Sequence, residues 1–154
     1  MYTIENVFKF LHVLSVVVWL GGVLTVNVLQ VFVSRGGDRA GQASLLRLSD
    51  LYGRAVIGPA AGLTLITGFV RVAQIDVSLG TFWVVWGLVA VAASIALGAS
   101  VIRVTLARLR RLVEDATLDD ALWPALRRRL ATLYGVNLLV LLSALWAMEF
   151  KPAL

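Results

Sequence analysis

The chain has 154 residues and a formal net charge of +5, and 60% of its residues are hydrophobic while only 15% are charged. A soluble domain of this size carries about 25% charged residues to cover its surface, so the composition excludes an ordinary soluble protein. The absence of cysteine excludes disulfides, thiolate nucleophiles and cysteine-based zinc sites, and the single histidine, His12, excludes a multi-histidine metal site within one chain.

Four apolar blocks follow one another along the chain, at about 10–33, 55–75, 81–102 and 130–150. Each block provides the roughly 20 helical residues that are needed to cross a hydrocarbon core about 30 Å thick. Because backbone groups in lipid must be satisfied internally, blocks of this length form helices. The sequence predicts an all-α integral membrane protein, a four-transmembrane-helix antiparallel bundle that makes a single domain over residues 1–154.

The connecting segments 34–54 and 103–129 are strongly basic. They contain Arg35, Arg39, Arg47, Arg54, Arg103, Arg108, Arg110, Arg111, Arg127, Arg128 and Arg129. The other side has only Lys9, Arg71 and Lys151. The positive-inside tendency predicts that both segments are cytoplasmic loops and that both termini lie outside. We interpret the arginines as topology and lipid-headgroup contacts, with the bilayer as partner and no nucleic acid.

Both basic segments show helical periodicity. Leu106, Leu109 and Leu112 predict an extension of the third helix, while Leu45 to Tyr52 predict a short interfacial helix in the first loop. Asp119 or Asp120 is positioned to cap the segment that leads into the fourth helix.

Small residues recur at helical spacing in the second and third apolar blocks. Gly58 and Gly62 form one row, and Ala90, Ser94 and Gly98 form another. Small residues let helix backbones approach in lipid, so these rows predict close antiparallel packing.

Polar residues gather on one face of each of three helices. The first helix presents His12, Ser15, Trp19, Asn27 and Gln30, with Gly22 at the edge of that face. The second presents Thr64, Thr67, Gly68 and Arg71, and the fourth presents Tyr134, Asn137, Met148 and Glu149. Polar groups within a membrane segment face the bundle interior, so these faces are expected to meet there.

His12 is the main candidate ligand. With both termini outside, it shares an outer layer with Arg71, Trp83, Trp86 and Glu149. A neutral imidazole oriented by a hydrogen bond can ligate haem iron or copper. The alternatives are a structural interhelical histidine, a simple Arg71–Glu149 ion pair, and an interfacial belt formed by Trp83, Trp86 and Trp146.

Two stretches resemble a known superfamily. The run from Phe10 to Gly22, FLHVLSVVVWLGG, resembles the opening of small bacterial membrane proteins related to copper resistance protein D. The stretch from Arg47 through Pro59 to Gly68, and the ending Lys151-Pro152, are similar to the HemJ-type protoporphyrinogen oxidase of bacteria.

The resemblance implies a four-helix protein of the bacterial cytoplasmic (inner) membrane that holds haem b through His12. Trp19 and Gly21 are neighbours of that ligand in the motif, while Arg54, Pro59 and Gly68 match the second helix. If the chain is an enzyme, the resemblance implies an oxidoreductase. The chain lacks the second histidine and the helix-three lysine of the HemJ type, so the resemblance extends to haem binding more than to the oxidase reaction.

The leading hypothesis is a haem-b-binding protein with a redox or haem-pathway role. His12 would be the axial and metal ligand, Arg71 a propionate partner, and Trp19 and Gly22 residues that shape the pocket. Copper uptake or resistance through His12, Met148 and Met1 is one alternative. A non-catalytic subunit or assembly partner of a larger membrane complex, or a homo-oligomer, is another.

Overall fold

The computed structural model describes residues 3–35, 39–114 and 121–152. Its helices are α1 (Ile4–Arg35), α2 (Arg39–Tyr52), α3 (Gly58–Gln74), α4 (Phe82–Ala96), α5 (Arg103–Glu114) and α6 (Leu122–Phe150). A π-helical segment, Gly53–Ile57, joins α2 to α3, and another, Leu97–Ile102, joins α4 to α5. The predicted all-α fold is confirmed.

Four helical runs of the described chain are long and apolar enough to cross a membrane. They are Ile4–Phe32, Gly41–Gln74, Phe82–Val113 and Leu122–Phe150, with lengths of 29 to 34 residues. Each exceeds the roughly 20 residues that a bilayer requires. The protein is therefore a multi-pass membrane protein whose helices are longer than the hydrocarbon core is thick.

Most of the additional length lies at one end of the bundle. The segments expected as loops, 34–54 and 103–129, are largely helical, because α2 and α5 continue the second and third helices and α6 already begins at Leu122. Asp119 and Asp120, the expected caps, lie outside the described residues. We call this arginine-rich end the basic end, and the opposite end, which carries His12, the His12 end.

The four helical runs do not pack equally tightly. α1 packs along α3, α4 packs along α6, and α1 also contacts α6. α3 and α4 have a much smaller contact. The bundle is consequently loosest along its α3–α4 side.

Two apolar clusters hold the bundle together. The cluster at the basic end contains Val26, Leu46, Ile102, Leu106, Leu109, Leu130 and Tyr134. The cluster in the middle contains Trp19, Val23, Ala60, Ala61, Val91 and Leu141. Leu46 and Leu109 are buried in the same cluster, so α2 packs on α5 and is part of the bundle. The helical extension predicted from the leucine period is confirmed.

Apolar and polar side chains are distributed between surface and interior as expected for a protein in lipid. Large apolar side chains are exposed along the helices, among them Val17, Phe32, Ile66 and Leu139. The buried polar residues include Ser15, Thr64, Thr67, Ser94 and Asn137. Because lipid cannot satisfy hydrogen bonds, these polar side chains must find partners between the helices.

Candidate functional site

The His12 imidazole is held against α3 by a hydrogen bond. Its Nδ1 lies 3.0 Å from Oγ1 of Thr67. The Thr67 hydroxyl also lies 2.6 Å from the carbonyl of Leu63 and 3.3 Å from that of Thr64, and when its one proton is donated to a carbonyl it accepts from the Nδ1–H of the imidazole. The other ring nitrogen, Nε2, then carries a lone pair, which is the form in which histidine binds a metal.

Gly68 makes this close approach possible. A Cβ atom at this position would lie 3.3 Å from Cε1 and 3.7 Å from Nδ1 of His12. Such a contact is at the tight limit for carbon atoms, so any side chain at Gly68 would press on the imidazole. Glycine next to Thr67 thus lets α3 hold the ring by both a hydrogen bond and direct contact.

A chain of hydroxyl groups continues this link between α1 and α3. The Ser15 hydroxyl donates to the carbonyl of His12 at 2.8 Å, and the Thr64 hydroxyl donates to Ser15 Oγ at 2.9 Å. Ser15, Thr64 and Thr67 are all buried. The polar faces that the sequence predicts for the first and second helices meet at this contact.

A cavity of about 230 Å³ opens beside the imidazole at the His12 end. Residues of α1, α3, α4 and the end of α6 line it, among them Lys9, His12, Gly68, Arg71, Trp83, Gly87, Met148 and Lys151. We call it the His12 cavity. Its remaining walls are mainly Val, Leu and Ile side chains.

The His12 cavity is electropositive. Lys9, Arg71 and Lys151 line it, and none of the described residues around it is acidic. Arg71 donates to the side-chain oxygen of Gln74 at 2.9 Å, while Glu149 is exposed and forms no ion pair with it in the described chain. The simple Arg71–Glu149 pair considered above is therefore not observed, and the cavity favours an anionic group.

The end of α6 brings Lys151 to the cavity. Lys151 has a left-handed backbone, with φ at 43°, and its N–H donates to the carbonyl of Ala147 at 3.0 Å. This conformation ends the helix, and the ammonium group lies 5.6 Å from the centre of the Trp83 ring, a cation–π distance. No sequence signal indicates this contact, because lysine is not a usual left-handed cap.

Met148 occupies the opposite wall, against Gly87. A Cβ atom at Gly87 would lie only 2.5 Å from the Met148 methyl carbon, so the thioether side chain uses the space that this glycine leaves free. His12 and Met148 therefore each pack on a glycine of the neighbouring helix. The sequence predicted that Met148 lies in the outer layer with His12, but it gave no reason to expect Gly87 as its packing partner.

The other predicted pocket residues lie elsewhere. Trp19 is buried beside a second cavity nearer the basic end. Gly22 packs against α2 and the first π-helical segment, where an added Cβ would lie 3.1 Å from Ile57 Cγ1 and 3.3 Å from Tyr52 Cε1. The structure thus brings His12 together with Arg71, and neither Trp19 nor Gly22 lines the same cavity.

The tryptophans at this end occupy different environments. Trp83 lines the His12 cavity. Trp86 and Trp146 are exposed on the outer surface, and the Trp86 indole donates to Ser143 Oγ at 3.2 Å. Their exposure is typical of an aromatic belt at a membrane interface.

A comparison with protein-family models identifies one family over nearly the whole chain. The model of DUF2269, described as a predicted integral membrane protein, matches residues 6–152. No curated protein and no solved structure matches the chain. The match includes His12, Thr67, Arg71 and Met148, so the candidate site lies within the family region. The chain therefore belongs to the DUF2269 family of predicted integral membrane proteins.

Proposed function

We propose that this protein binds haem b at the His12 end, with His12 as an axial ligand, and that it acts in electron transfer or haem handling. One observation supports this most directly: the imidazole of His12, hydrogen-bonded through Nδ1 to Thr67, lines an apolar cavity with a cationic rim. Metal-ligating histidines characteristically donate their second ring nitrogen to an oxygen in this way.

The surrounding residues match the chemistry of haem. Met148 would offer a thioether as a second ligand beside His12, and histidine with methionine is an established haem ligand pair. Arg71, Lys9 and Lys151 can pair with propionate groups, and the apolar walls suit a porphyrin face. The cavity volume of about 230 Å³ is below the roughly 300–1,000 Å³ of sites that enclose a drug-sized ligand. Part of the macrocycle would therefore remain in contact with lipid.

Bound haem would supply one-electron chemistry, while the chain's own residues supply ligation and electrostatics. Thr67 orients the imidazole and increases its basicity through the Nδ1–H bond. Arg71, Lys9 and Lys151 would compensate the negative charge of the haem propionates. The Val, Leu and Ile side chains of the cavity walls would exclude water.

Copper uptake or resistance is the second candidate function. It is favoured by Met148, because a thioether and an imidazole in one cavity are ligands that suit copper. The resemblance of the first helix to proteins related to copper resistance protein D supports the same alternative. Met1, the further ligand considered from the sequence, lies outside the described residues.

We propose the bacterial cytoplasmic membrane as the location, with both termini outside. Eleven arginines lie in the segments at the basic end, against three basic residues at the His12 end. The positive-inside tendency supports a cytoplasmic basic end and an outward-facing His12 cavity.

An optical spectrum separates these functions. After expression with added haem and purification in detergent, wild-type protein should show a Soret band that His12→Ala loses, while the control Val16→Ala on the same helix keeps it. Met148→Leu should keep the band and change the reduction potential. The haem proposal fails if wild-type protein has no Soret band.

The same preparations test the alternatives. Copper bound by the wild type and lost in the His12→Ala/Met148→Leu double variant would support the copper function, and equal copper content would exclude it. A reproducible partner protein that co-purifies with cofactor-free protein would instead support a non-catalytic subunit of a larger membrane complex.

A further inference from the structure

A second cavity, of about 440 Å³, lies between α3 and α4 on the side of the basic end. Both π-helical segments contribute to its walls, through Gly53, Arg54 and Ile57 on one side and Gly98, Ala99 and Ile102 on the other. π-Helical turns are uncommon and frequently occur at functional sites. We call it the π cavity, because two such turns face each other across it.

Members of both predicted small-residue rows line this cavity: Gly58 and Gly62 of one row, and Ser94 and Gly98 of the other. Ala90 and Ser94 are buried, but a Cβ atom at Gly62 or at Gly98 would have no neighbouring atom within 4 Å. The close helix packing expected through these two glycines is therefore not observed. Because protein interiors are normally filled to crystal-like density, an apolar space of this size indicates room for another molecule.

The polar groups of the π cavity are concentrated at the basic end. Ser49, Asp50, Arg54, Arg103 and Tyr134 line that part, whereas Trp19, Val23, Ala61 and Ile95 line the deeper part. The one polar pair in the deeper part is already satisfied, since the Ser94 hydroxyl donates to Asn137 Oδ1 at 2.6 Å. A ligand with a polar head at the basic end and an apolar tail toward the membrane centre fits this distribution.

One buried hydroxyl group in the polar part, that of Ser49, lacks a partner within the described chain. Ser49 is only 4% exposed, and its Oγ is buried without a hydrogen bond. Tyr134 is also buried and lines the same part of the cavity. A buried polar group without a partner costs about 1–3 kcal/mol, so an oxygen acceptor in the cavity would remove this cost.

The charges favour an anion. Asp50 is compensated by Arg54 at 2.5 Å and Arg110 at 3.2 Å. Arg103 lines the cavity and forms no ion pair with a described residue. Gly58, Ile95 and Ala99 are exposed at the rim, so the opening faces the lipid between α3 and α4.

We propose that the π cavity binds one anionic glycerophospholipid. Its phosphate would lie between Arg54 and Arg103, with hydrogen bonds from Ser49 and Tyr134, and one acyl chain would fill the space beside Gly62 and Gly98. The site is separate from the His12 cavity, so the proposal is independent of haem or copper binding.

Native mass spectrometry of the full-length protein in detergent tests this assignment. Phosphatidylglycerol should form a one-to-one complex about tenfold tighter than phosphatidylcholine, because an arginine–phosphate contact is a charge-assisted hydrogen bond. Gly62→Leu and Gly98→Leu should lose the complex by filling the space, whereas Gly21→Leu should keep it, since Gly21 also has open space but does not line the cavity.

Charge variants provide a second test that does not alter the apolar walls. Arg103→Gln should weaken phosphatidylglycerol binding about tenfold, and Arg108→Gln, on the same helix but away from the cavity, should not. Helical circular dichroism and elution volume would establish that each variant is folded.

Three results would overturn the proposal. These are equal binding of the two phospholipids, unchanged binding in folded Gly62→Leu and Gly98→Leu, and oleate binding as tight as that of phosphatidylglycerol. The last result would assign the site to a fatty acid carboxylate in place of a phospholipid.

Discussion

The Thr67 hydroxyl links two helices: it lies 3.0 Å from the Nδ1 of His12, 55 residues away in the sequence, and 2.6 Å from the carbonyl of Leu63 within its own helix. Because a hydroxyl has only one proton, a Thr67 hydroxyl that donates to the carbonyl can accept the Nδ1–H of His12 at the same time. One α3 side chain thereby holds the ring of the single histidine in place.

Thr67→Val should therefore damage ligand binding at His12 while keeping the shape of the side chain. It removes the acceptor of the Nδ1–H bond, and loss of such a partner typically lowers metal affinity about 10–100-fold. Haem titration of purified protein, followed at the Soret band, measures the change. Thr67→Ser retains the hydroxyl and should bind within a few-fold of the wild type; equal affinity of all three proteins would show that the bond has no role in ligation.

The two adjacent glycines of α1 should respond differently to a larger side chain. Gly22→Val would press on Ile57 and Tyr52, which an added Cβ already approaches to 3.1 and 3.3 Å, and overpacking of this kind costs about 1–3 kcal/mol. Gly21→Val enters open space and should be nearly neutral. Unfolding in mixed micelles with increasing sodium dodecyl sulfate measures both, and equal stability of the two variants would contradict this packing.

The Ser94–Asn137 hydrogen bond should contribute to the packing of α4 on α6. Hydrogen bonds between membrane helices contribute about 0.6 kcal/mol on average and up to about 1.7 kcal/mol. Ser94→Ala and Asn137→Leu should each reduce stability, and the double variant should lose less than the sum of the two effects. The difference, measured in the same unfolding assay, gives the coupling energy; additive losses would mean that the 2.6 Å contact is not energetically significant.

Reporter fusions should place both termini outside the cytoplasm. The eleven arginines of segments 34–54 and 103–129 outweigh Lys9, Arg71 and Lys151, and both segments are short enough for the positive-inside tendency to apply. A phosphatase fused after Leu154 should be active, and a fluorescent protein that matures only in the cytoplasm should be dark there. The opposite pattern would place the His12 cavity on the cytoplasmic side and remove the rationale for copper uptake from outside.

Sequence periodicity predicted which side chains face the bundle interior. It was less informative about the depth of each side chain along the bundle and about which side chains of different helices meet. Ser15, Trp19 and Thr67 were expected to face inward, and all three are buried. Trp19, however, follows His12 by seven residues, which corresponds to about 10 Å along a helix, and this separation places it beside the π cavity. Residue spacing predicts which side chains share one face of a helix. Whether two side chains line the same cavity also depends on how far each helix is displaced along its axis.

Glycine spacing was equally ambiguous. The absence of a side chain permits both close helix approach and open space, and Gly22 shows the first while Gly62 shows the second. The sequence could not distinguish them, because the outcome depends on side chains of other helices. Gly87, which packs against Met148, was not distinguishable from other glycines for the same reason, whereas Gly68 lies on the polar face predicted for the second helix.

Because the helices continue beyond the hydrocarbon core, the two ends of the molecule lie in different solvents. At the basic end, Leu46 and Leu109 lie in a cluster of helices interleaved with arginines, so water exclusion stabilises that cluster. At the His12 end, lipid surrounds the helices, and contacts such as Ser15–Thr64 carry more of the stability. Urea, which weakens apolar burial in water, should open α2 and α5 while leaving the environment of His12 intact. The half that contains His12 would then remain folded in a protein whose other half has already unfolded.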